Sequence, residues 1–168
     1  EYTIAFEDLE KKLALPQTTM MILCNPHNPI GKIWSQETLK RIGDLCARHH
    51  VLVVSDEIHC DIIAPGREYI PFASVSKTNL NNSITCIAPT KAFNLAGLQS
   101  ACIVVENEVI RQKVNRGINT DEVAEPNSFA ITAAMSAFNH GEKWLDELNI
   151  YIQNNKQIAC QYIEENLP

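Results

Sequence analysis

Two apolar runs separated by one amphipathic helix constrain the fold of this chain more than any other feature. Met20–Cys24 and residues 51–54 are continuous apolar runs of strand length. Between them, apolar residues recur at helical spacing up to about His50, following Ser35, a good helix N-cap. Strand, helix and strand form a βαβ unit, so we expect the two strands to be parallel. Their unbroken apolar character predicts burial on both faces.

The rest of the chain extends this pattern. Residues 60–82 are rich in turn formers and predict a loop-rich crossover with at most one short helix. The further predicted elements are a helix at 6–14, strands at 84–88 and 101–105, and helices at 109–118, 129–138 and 142–167. The last helix carries an apolar stripe from Trp144 to Ile163 that indicates packing. The predicted fold class is α/β, with a mostly parallel sheet and flanking helices.

Composition excludes several classes of protein. With 45% hydrophobic and 20% charged residues among 168, the chain is typical of a globular protein rather than a disordered one. A net charge of −6 disfavours nucleic-acid binding, and no apolar run approaches the length of about 20 residues that a membrane span needs. We therefore expect neither nucleic acid nor membrane as a partner.

The cysteines predict a cellular compartment, and the first residue indicates how this chain relates to the whole protein. Six cysteines are spread along the chain without a C-x-x-C pair, and several lie in apolar runs, which predicts free thiols in a reducing, cytoplasmic compartment. The chain begins at Glu1 rather than methionine, so we expect it to be a piece of a longer protein.

Polar side chains follow three of the predicted strands. In open α/β sheets, ligands bind outside the carboxyl ends of the strands. Taken singly, Asp56 is typical of a helix cap or turn, and Lys91 of a surface charge. If the strands are neighbours, however, all these groups meet on one rim: Asn25 and Asn28, then Ser55, Asp56, Glu57 and His59, then Thr90 and Lys91. No histidine has a second ligand pair at recognisable spacing, so we expect no metal site.

Three ordered motifs carry a family resemblance. They are N-P-H-N-P-I-G at residues 25–31, completed by Trp34, S-D-E-I-H at 55–59 and A-P-T-K-A-F-N-L-A-G-L at 88–98. Together they resemble the pyridoxal-phosphate enzymes of the class I/II aminotransferase fold, and most closely the cystathionine β-lyase-like C–S lyases. The resemblance runs from about residue 2 to the end of the chain.

The resemblance implies a domain organisation. Residues 1–141 would form part of the large cofactor-binding domain of fold type I. Residues 142–168 would form a long helix leading toward a small domain that lies outside this chain. The longer protein would be a homodimer with sites completed across the interface.

The resemblance also implies one role for each of six residues. Lys91 would form a Schiff base with the aldehyde of pyridoxal 5'-phosphate, and Asp56 would pair with the protonated ring nitrogen. The other four would contact the cofactor: Asn28 and His59 at the phenolic oxygen, Ile58 on one ring face, and Thr90 at the phosphate. A carboxylate favours the protonated ring, and a lysine amine can remove the Cα proton of the substrate.

Two positions depart from the family pattern. Ala88 stands where relatives often have serine, and Gln99 stands where they often have an arginine that binds the phosphate. Phosphate binding would therefore depend on Thr90 and on groups outside the chain. We expect the isolated 168 residues to be inactive, because too few cofactor anchors are present.

Three functions are candidates for the longer protein. The residues at the motif positions favour a C–S β-lyase that cleaves L-cystathionine or related cysteine S-conjugates to pyruvate, ammonia and a thiol. A class I/II aminotransferase would use the same six residues. A P-loop nucleotide hydrolase is a remote alternative, because residues 51–57 resemble a Walker B strand. The pair Gly31-Lys32 lacks the rest of the phosphate-loop pattern, with proline at position 26 and isoleucine at 33.

Overall fold

A four-stranded sheet forms the centre of the computed structural model, which describes residues 2–167. The strands lie in chain order: β1 (Met20–Cys24), β2 (Leu52–Asp56), β3 (Ser83–Ile87) and β4 (Cys102–Val104). β1 and β2 are parallel, as the βαβ pattern predicts, and β3 is parallel to β2, whereas β4 runs antiparallel to β3. No α-helix lies between β3 and β4, so the chain returns beside β3 in the opposite direction. The predicted α/β class with a mostly parallel sheet is confirmed.

The helices flank this sheet. Their bounds are α1 (Phe6–Leu13), α2 (Gln36–Arg48), α3 (Lys77–Asn81), α4 (Glu108–Thr120), α5 (Ala130–His140) and α6 (Glu142–Asn166). Ser35 caps α2 as predicted, its hydroxyl accepting the Thr38 N–H at 3.2 Å. The crossover, predicted to hold at most one short helix, contains one short α-helix, α3, and also a 3-10 turn at Phe72–Ser74.

The core lies between the sheet and α2. Leu39 and Ile42 of α2 pack against Val53 of β2, and all three are fully buried. Leu13 of α1 and the fully buried Phe72 of the 3-10 turn close the same cluster. Burial of this apolar surface holds β1, α2 and β2 together, and thereby sets the carboxyl ends of the strands side by side.

Two predictions of burial are wrong. In β1, Met20 is 54% and Ile22 is 67% exposed, because the core cluster covers only the face that carries Leu23. In α6, the apolar stripe is also exposed, with Trp144 at 52% and Tyr162 at 63%. Among the described elements, α5 is the one that makes repeated contacts with α6, so most of the stripe has nothing to pack against.

Candidate active site

Asp56 lies at the carboxyl edge of the sheet, between two thiols. The strand register pairs it with Cys24 on β1 and with Cys86 on β3. Burial, and then the charge of Asp56, raise the pKa of both thiols, so both stay neutral near pH 7. The strands whose ends carry the predicted site residues are therefore neighbours, which the sequence argument required.

The Asp56 carboxylate retains unused hydrogen-bonding capacity. Its Oδ1 accepts the Ile58 N–H at 3.3 Å, the one side-chain hydrogen bond it makes within residues 2–167. A carboxylate can accept about four hydrogen bonds. Asp56 is half-buried, and Ile58 beside it is half-buried as well. An acceptor of this kind at a sheet edge suits a protonated ring nitrogen.

Asn28 and His59 line one cavity of about 710 Å³. Its walls are the turn at residues 26–33, the segment at residues 59–67 and one side of α6. Among the described residues, the lining side chains that are charged near pH 7 are all cationic: Lys32, Arg67 and Lys156. A cavity of this size with convergent polar groups suits a small ligand, and its charge suits an anionic one.

Thr90 and Lys91 lie on a tight turn that follows β3. The Thr90 carbonyl accepts the Leu95 N–H, and the Pro89 carbonyl accepts the Phe93 N–H, both at 3.0 Å. Thr90 is buried, whereas the side chain of Lys91 is exposed. Neither residue lines the cavity with Asn28 and His59. The six predicted residues thus lie at or shortly after the ends of three adjacent strands, and of the six only Asn28 and His59 line this cavity.

A buried carboxylate that the sequence argument left without a role lies next to Asp56. Glu57 is 1% exposed. Its Oε1 accepts the Ser55 hydroxyl at 2.7 Å and the Phe72 N–H at 2.9 Å, and its Oε2 accepts the Tyr69 hydroxyl. Burial, and then this hydrogen bond, raise the pKa of Tyr69. Glu57 thereby connects the far end of segment 58–72, which carries His59, to the end of β2.

Sequence reasoning missed the role of Glu57 because its partners are distant in the chain. Tyr69 and Phe72 lie 12 and 15 residues beyond it. The pair Ser55 and Glu57 shares one face of a strand, which is a detectable signal, but no periodic pattern connects that pair to Tyr69.

Residues 2–167 contain neither a candidate metal-binding cluster nor a helix suited to crossing a membrane. No cluster of three or more histidine, cysteine, aspartate and glutamate side chains is arranged to hold a metal ion in that part of the chain. None of the helices there combines the length and the apolar character that a bilayer crossing requires.

The chain belongs to the aminotransferase class I and II family, an enzyme family whose pattern matches residues 1–166. Cystathionine beta-lyase PatB of Bacillus subtilis (strain 168) is 46% identical over 167 residues, which are 99% of this chain and 43% of PatB. The family explains the three motifs and leaves no ground for a P-loop nucleotide hydrolase. The segment that carries Gly31 and Lys32 is a tight turn at residues 27–32, in which the His27 N–H donates to the Lys32 carbonyl at 2.7 Å.

Solved structures show the same fold. Cystalysin from Treponema denticola, which contains a pyridoxal 5'-phosphate cofactor, has a TM-score of 0.97 and 32% identity, covering 100% of this chain and 43% of its own. A PLP-bound putative aminotransferase from Clostridium difficile 630 has a TM-score of 0.95 and 41% identity, with the same coverages. The fold is that of PLP-dependent transferases. The chain spans less than half the length of these relatives.

Proposed function

We propose that the full-length protein is a pyridoxal-phosphate-dependent C–S β-lyase that cleaves L-cystathionine or a related cysteine S-conjugate to pyruvate, ammonia and a thiol. The observation that carries the proposal is 46% identity, over 99% of this chain, to a protein named as a cystathionine beta-lyase. The cationic lining of the cavity supports it, because such substrates bear carboxylates.

The residues of this chain have the chemistry to hold that cofactor. Asp56 keeps unused acceptor capacity at the sheet edge, where it would face a protonated ring nitrogen. Asn28 and His59 lie on one cavity and would donate to the phenolic oxygen. Ile58 would pack on one ring face. The cofactor, when bound, supplies an electron sink.

Lys91 and Thr90 would complete the chemistry from the turn after β3. The Lys91 amine would bond to the cofactor aldehyde and then, once released by substrate, remove the Cα proton. Thr90 would donate its hydroxyl to the phosphate. Because Ala88 and Gln99 supply neither a hydroxyl nor a cation, the other phosphate ligands would come from outside these 168 residues.

The test is turnover of L-cystathionine by the full-length protein purified with its cofactor. We expect pyruvate, detected by a coupled dehydrogenase, and a visible absorption band from the bound cofactor. Lys91→Ala should lose both. The matched control is Lys113→Ala, an exposed lysine on α4 that should behave as wild type. Normal pyruvate production by Lys91→Ala would contradict the assignment.

An aminotransferase is the second candidate. The family name favours it, and so does the 41% identity to the PLP-bound protein of Clostridium difficile 630, which is described as an aminotransferase. The same six residues would serve, with the Lys91 amine removing the Cα proton and later returning a proton. If the full-length protein forms glutamate from 2-oxoglutarate and an amino acid, without pyruvate from L-cystathionine, the aminotransferase replaces the lyase.

The wider organisation is proposed on the same basis. Residues 1–141 would be part of the large domain, and 142–168 the helix leading to a small domain. The six cysteines are all free, which suits a reducing, cytoplasmic location. Exposed apolar side chains on α5 and α6, such as Met135 and Tyr151, suit burial in a homodimer. Light scattering of the full-length protein tests this, and a monomer would contradict it.

A further inference from the structure

Helix α6 contacts the turn that carries Lys91. The Trp144 indole N–H donates to the carbonyl of Ala92 at 3.1 Å, and Ala92 follows Lys91 directly and is 1% exposed. Trp144 itself is 52% exposed, so its ring is not a buried core side chain. Its specific interaction with the protein interior is therefore this hydrogen bond to the backbone of the turn.

The junction of α5 and α6 packs against the same turn. The rings of Phe93 and Phe138 meet edge to face, with centroids 5.9 Å apart. Gly141 lies so close that a Cβ there would be 2.4 Å from Phe93 Cε1. A side chain at this position would overlap the ring, so the junction packs directly on Phe93 of the turn. The position of the turn thus depends on where α6 begins.

The same helix contacts the other side of the site. The Asn149 side-chain N–H donates to the Asp61 carbonyl at 3.0 Å, and Asp61 is two residues beyond His59. Asn149 also lines the cavity that Asn28 and His59 line. Its Oδ1 is buried and has no hydrogen-bond donor among the described residues. A second segment of the site is therefore connected to α6 by one partly buried hydrogen bond.

We propose that Trp144 and Asn149 are positioning residues that together set the separation between the Lys91 amine and the His59 imidazole. They are five residues apart, about 7.5 Å along one rigid helix. One contacts the turn of Lys91 and the other contacts the segment of His59, so movement of either relative to α6 breaks a hydrogen bond. The inference rests on the proposed function, because it assigns these two groups to one reaction.

The test uses Trp144→Phe and Asn149→Leu in the full-length protein with its cofactor. Each change removes the donor; phenylalanine keeps most of the volume of the indole, and leucine keeps the branched shape of the amide. We expect kcat for L-cystathionine to fall about 5-fold in each, the effect of one lost hydrogen bond. We also expect the pH midpoint of the visible cofactor band to shift, which reduced stability alone would not cause. In the double variant, the decrease in kcat should be smaller than the product of the two single decreases, because loss of either hydrogen bond already allows the distance between the Lys91 amine and the His59 imidazole to vary.

Matched controls lie further along α6. The Tyr162 hydroxyl and the Asn155 amide are exposed and form no hydrogen bond within residues 2–167, so Tyr162→Phe and Asn155→Leu should match wild type. The inference is overturned if Trp144→Phe and Asn149→Leu keep wild-type kcat and pH midpoint, if they lower only the melting temperature, or if their losses multiply. A wild-type protein without cofactor band or turnover would instead contradict the proposed function.

Discussion

At the scale of single residues, the surroundings of Asp56 decide what its charge can do. Cys24 and Cys86 beside it have raised pKa values and carry no charge near pH 7. In the described part of the chain, the Asp56 carboxylate accepts one hydrogen bond, from the backbone N–H of Ile58. Because the flanking thiols are neutral and one donor is present, the Asp56 carboxylate interacts favourably with a cation placed beside it. These surroundings support the proposal that Asp56 pairs with the ring nitrogen.

Asp56→Asn should retain the cofactor and lose most of the activity. The amide keeps the shape but removes the charge that favours the protonated ring, so we expect kcat to fall roughly 100-fold or more. Stopped-flow absorbance of the full-length protein would show the loss in the step that removes the Cα proton. Turnover within a factor of about two of wild type would remove Asp56 from this role.

Thiol reactivity should separate the buried cysteines from the exposed ones. Burial raises the pKa of Cys46 to about 11, and burial with the nearby charges of Asp61 and Glu57 raises that of Cys60 to about 12. Because the thiolate is the nucleophile, iodoacetamide at about pH 8 should modify the exposed Cys102 and Cys160 first, as read by mass spectrometry. Early modification of Cys46 in the folded protein would contradict this.

The same two thiols make stability depend on pH in the alkaline range. Their folded pKa values lie above the ordinary value of 9.0, so the folded state holds its protons longer than the unfolded state. Their contribution is therefore complete below about pH 9 and is lost as pH rises toward about 11 to 12. Urea denaturation across this range should show a decreasing free energy of unfolding.

At the scale of elements, α2 and α3 pack together where Gly43 of α2 contacts the hydrogen-bonded side chain of Asn79 on α3. Asn79 is fully buried, donates to the Leu39 carbonyl at 3.1 Å, and accepts the Ser76 hydroxyl at 2.7 Å. A Cβ on Gly43 would lie 2.3 Å from Asn79 Oδ1. Because both hydrogen bonds hold the amide in place, it cannot move aside without leaving buried polar groups unpaired.

Gly43→Ala should therefore destabilise the protein by about 1–3 kcal/mol. The matched control is Gly117→Ala in α4, where the added Cβ has nothing within 4 Å. That control should stabilise the protein by about 0.5–1 kcal/mol, because alanine is the better helix former. Urea denaturation of the two variants compares them directly, and equal free energies of unfolding would contradict the close contact.

At the scale of the whole molecule, the chain leaves large apolar side chains exposed. They concentrate on α5 and α6, with further examples on β1 and β4: Ile131, Met135, Phe138, Trp144, Tyr151, Ile158, Tyr162, Met20, Ile22, Ile103 and Val104. Monomeric proteins seldom expose apolar surface on this scale. The 168 residues by themselves therefore present surfaces that favour association.

The isolated chain should self-associate and show no lyase activity. Its exposed apolar surface drives association, and it supplies too few phosphate and carboxylate ligands for useful cofactor affinity. Size-exclusion chromatography over a range of concentrations, with a coupled pyruvate assay, checks both points. A monodisperse monomer, or measurable pyruvate from L-cystathionine, would contradict the corresponding half of this prediction.

Much of the fold follows from local patterns. The parallel β1–α2–β2 unit is recognisable from two apolar runs and the capped helix after Ser35, because strand and helix periodicities are local properties. The candidate residues at the strand ends follow from the same reading, since parallel strands end at one edge. The burial of a side chain cannot be predicted from such local patterns. Ile22 is apolar and yet exposed, because the whole fold decides which residues surround a side chain.

Local sequence patterns are sufficient to predict the order of the strands and helices and the candidate groups at the strand ends. The tertiary structure alone decided how Glu57 holds segment 58–72 through Tyr69, and how Trp144 and Asn149 of α6 reach the two sides of the site. Trp144 and Ala92 are 52 residues apart, and Asn149 and Asp61 are 88 apart. Contacts over such separations leave no periodic signal, because they arise only when packing brings distant segments together.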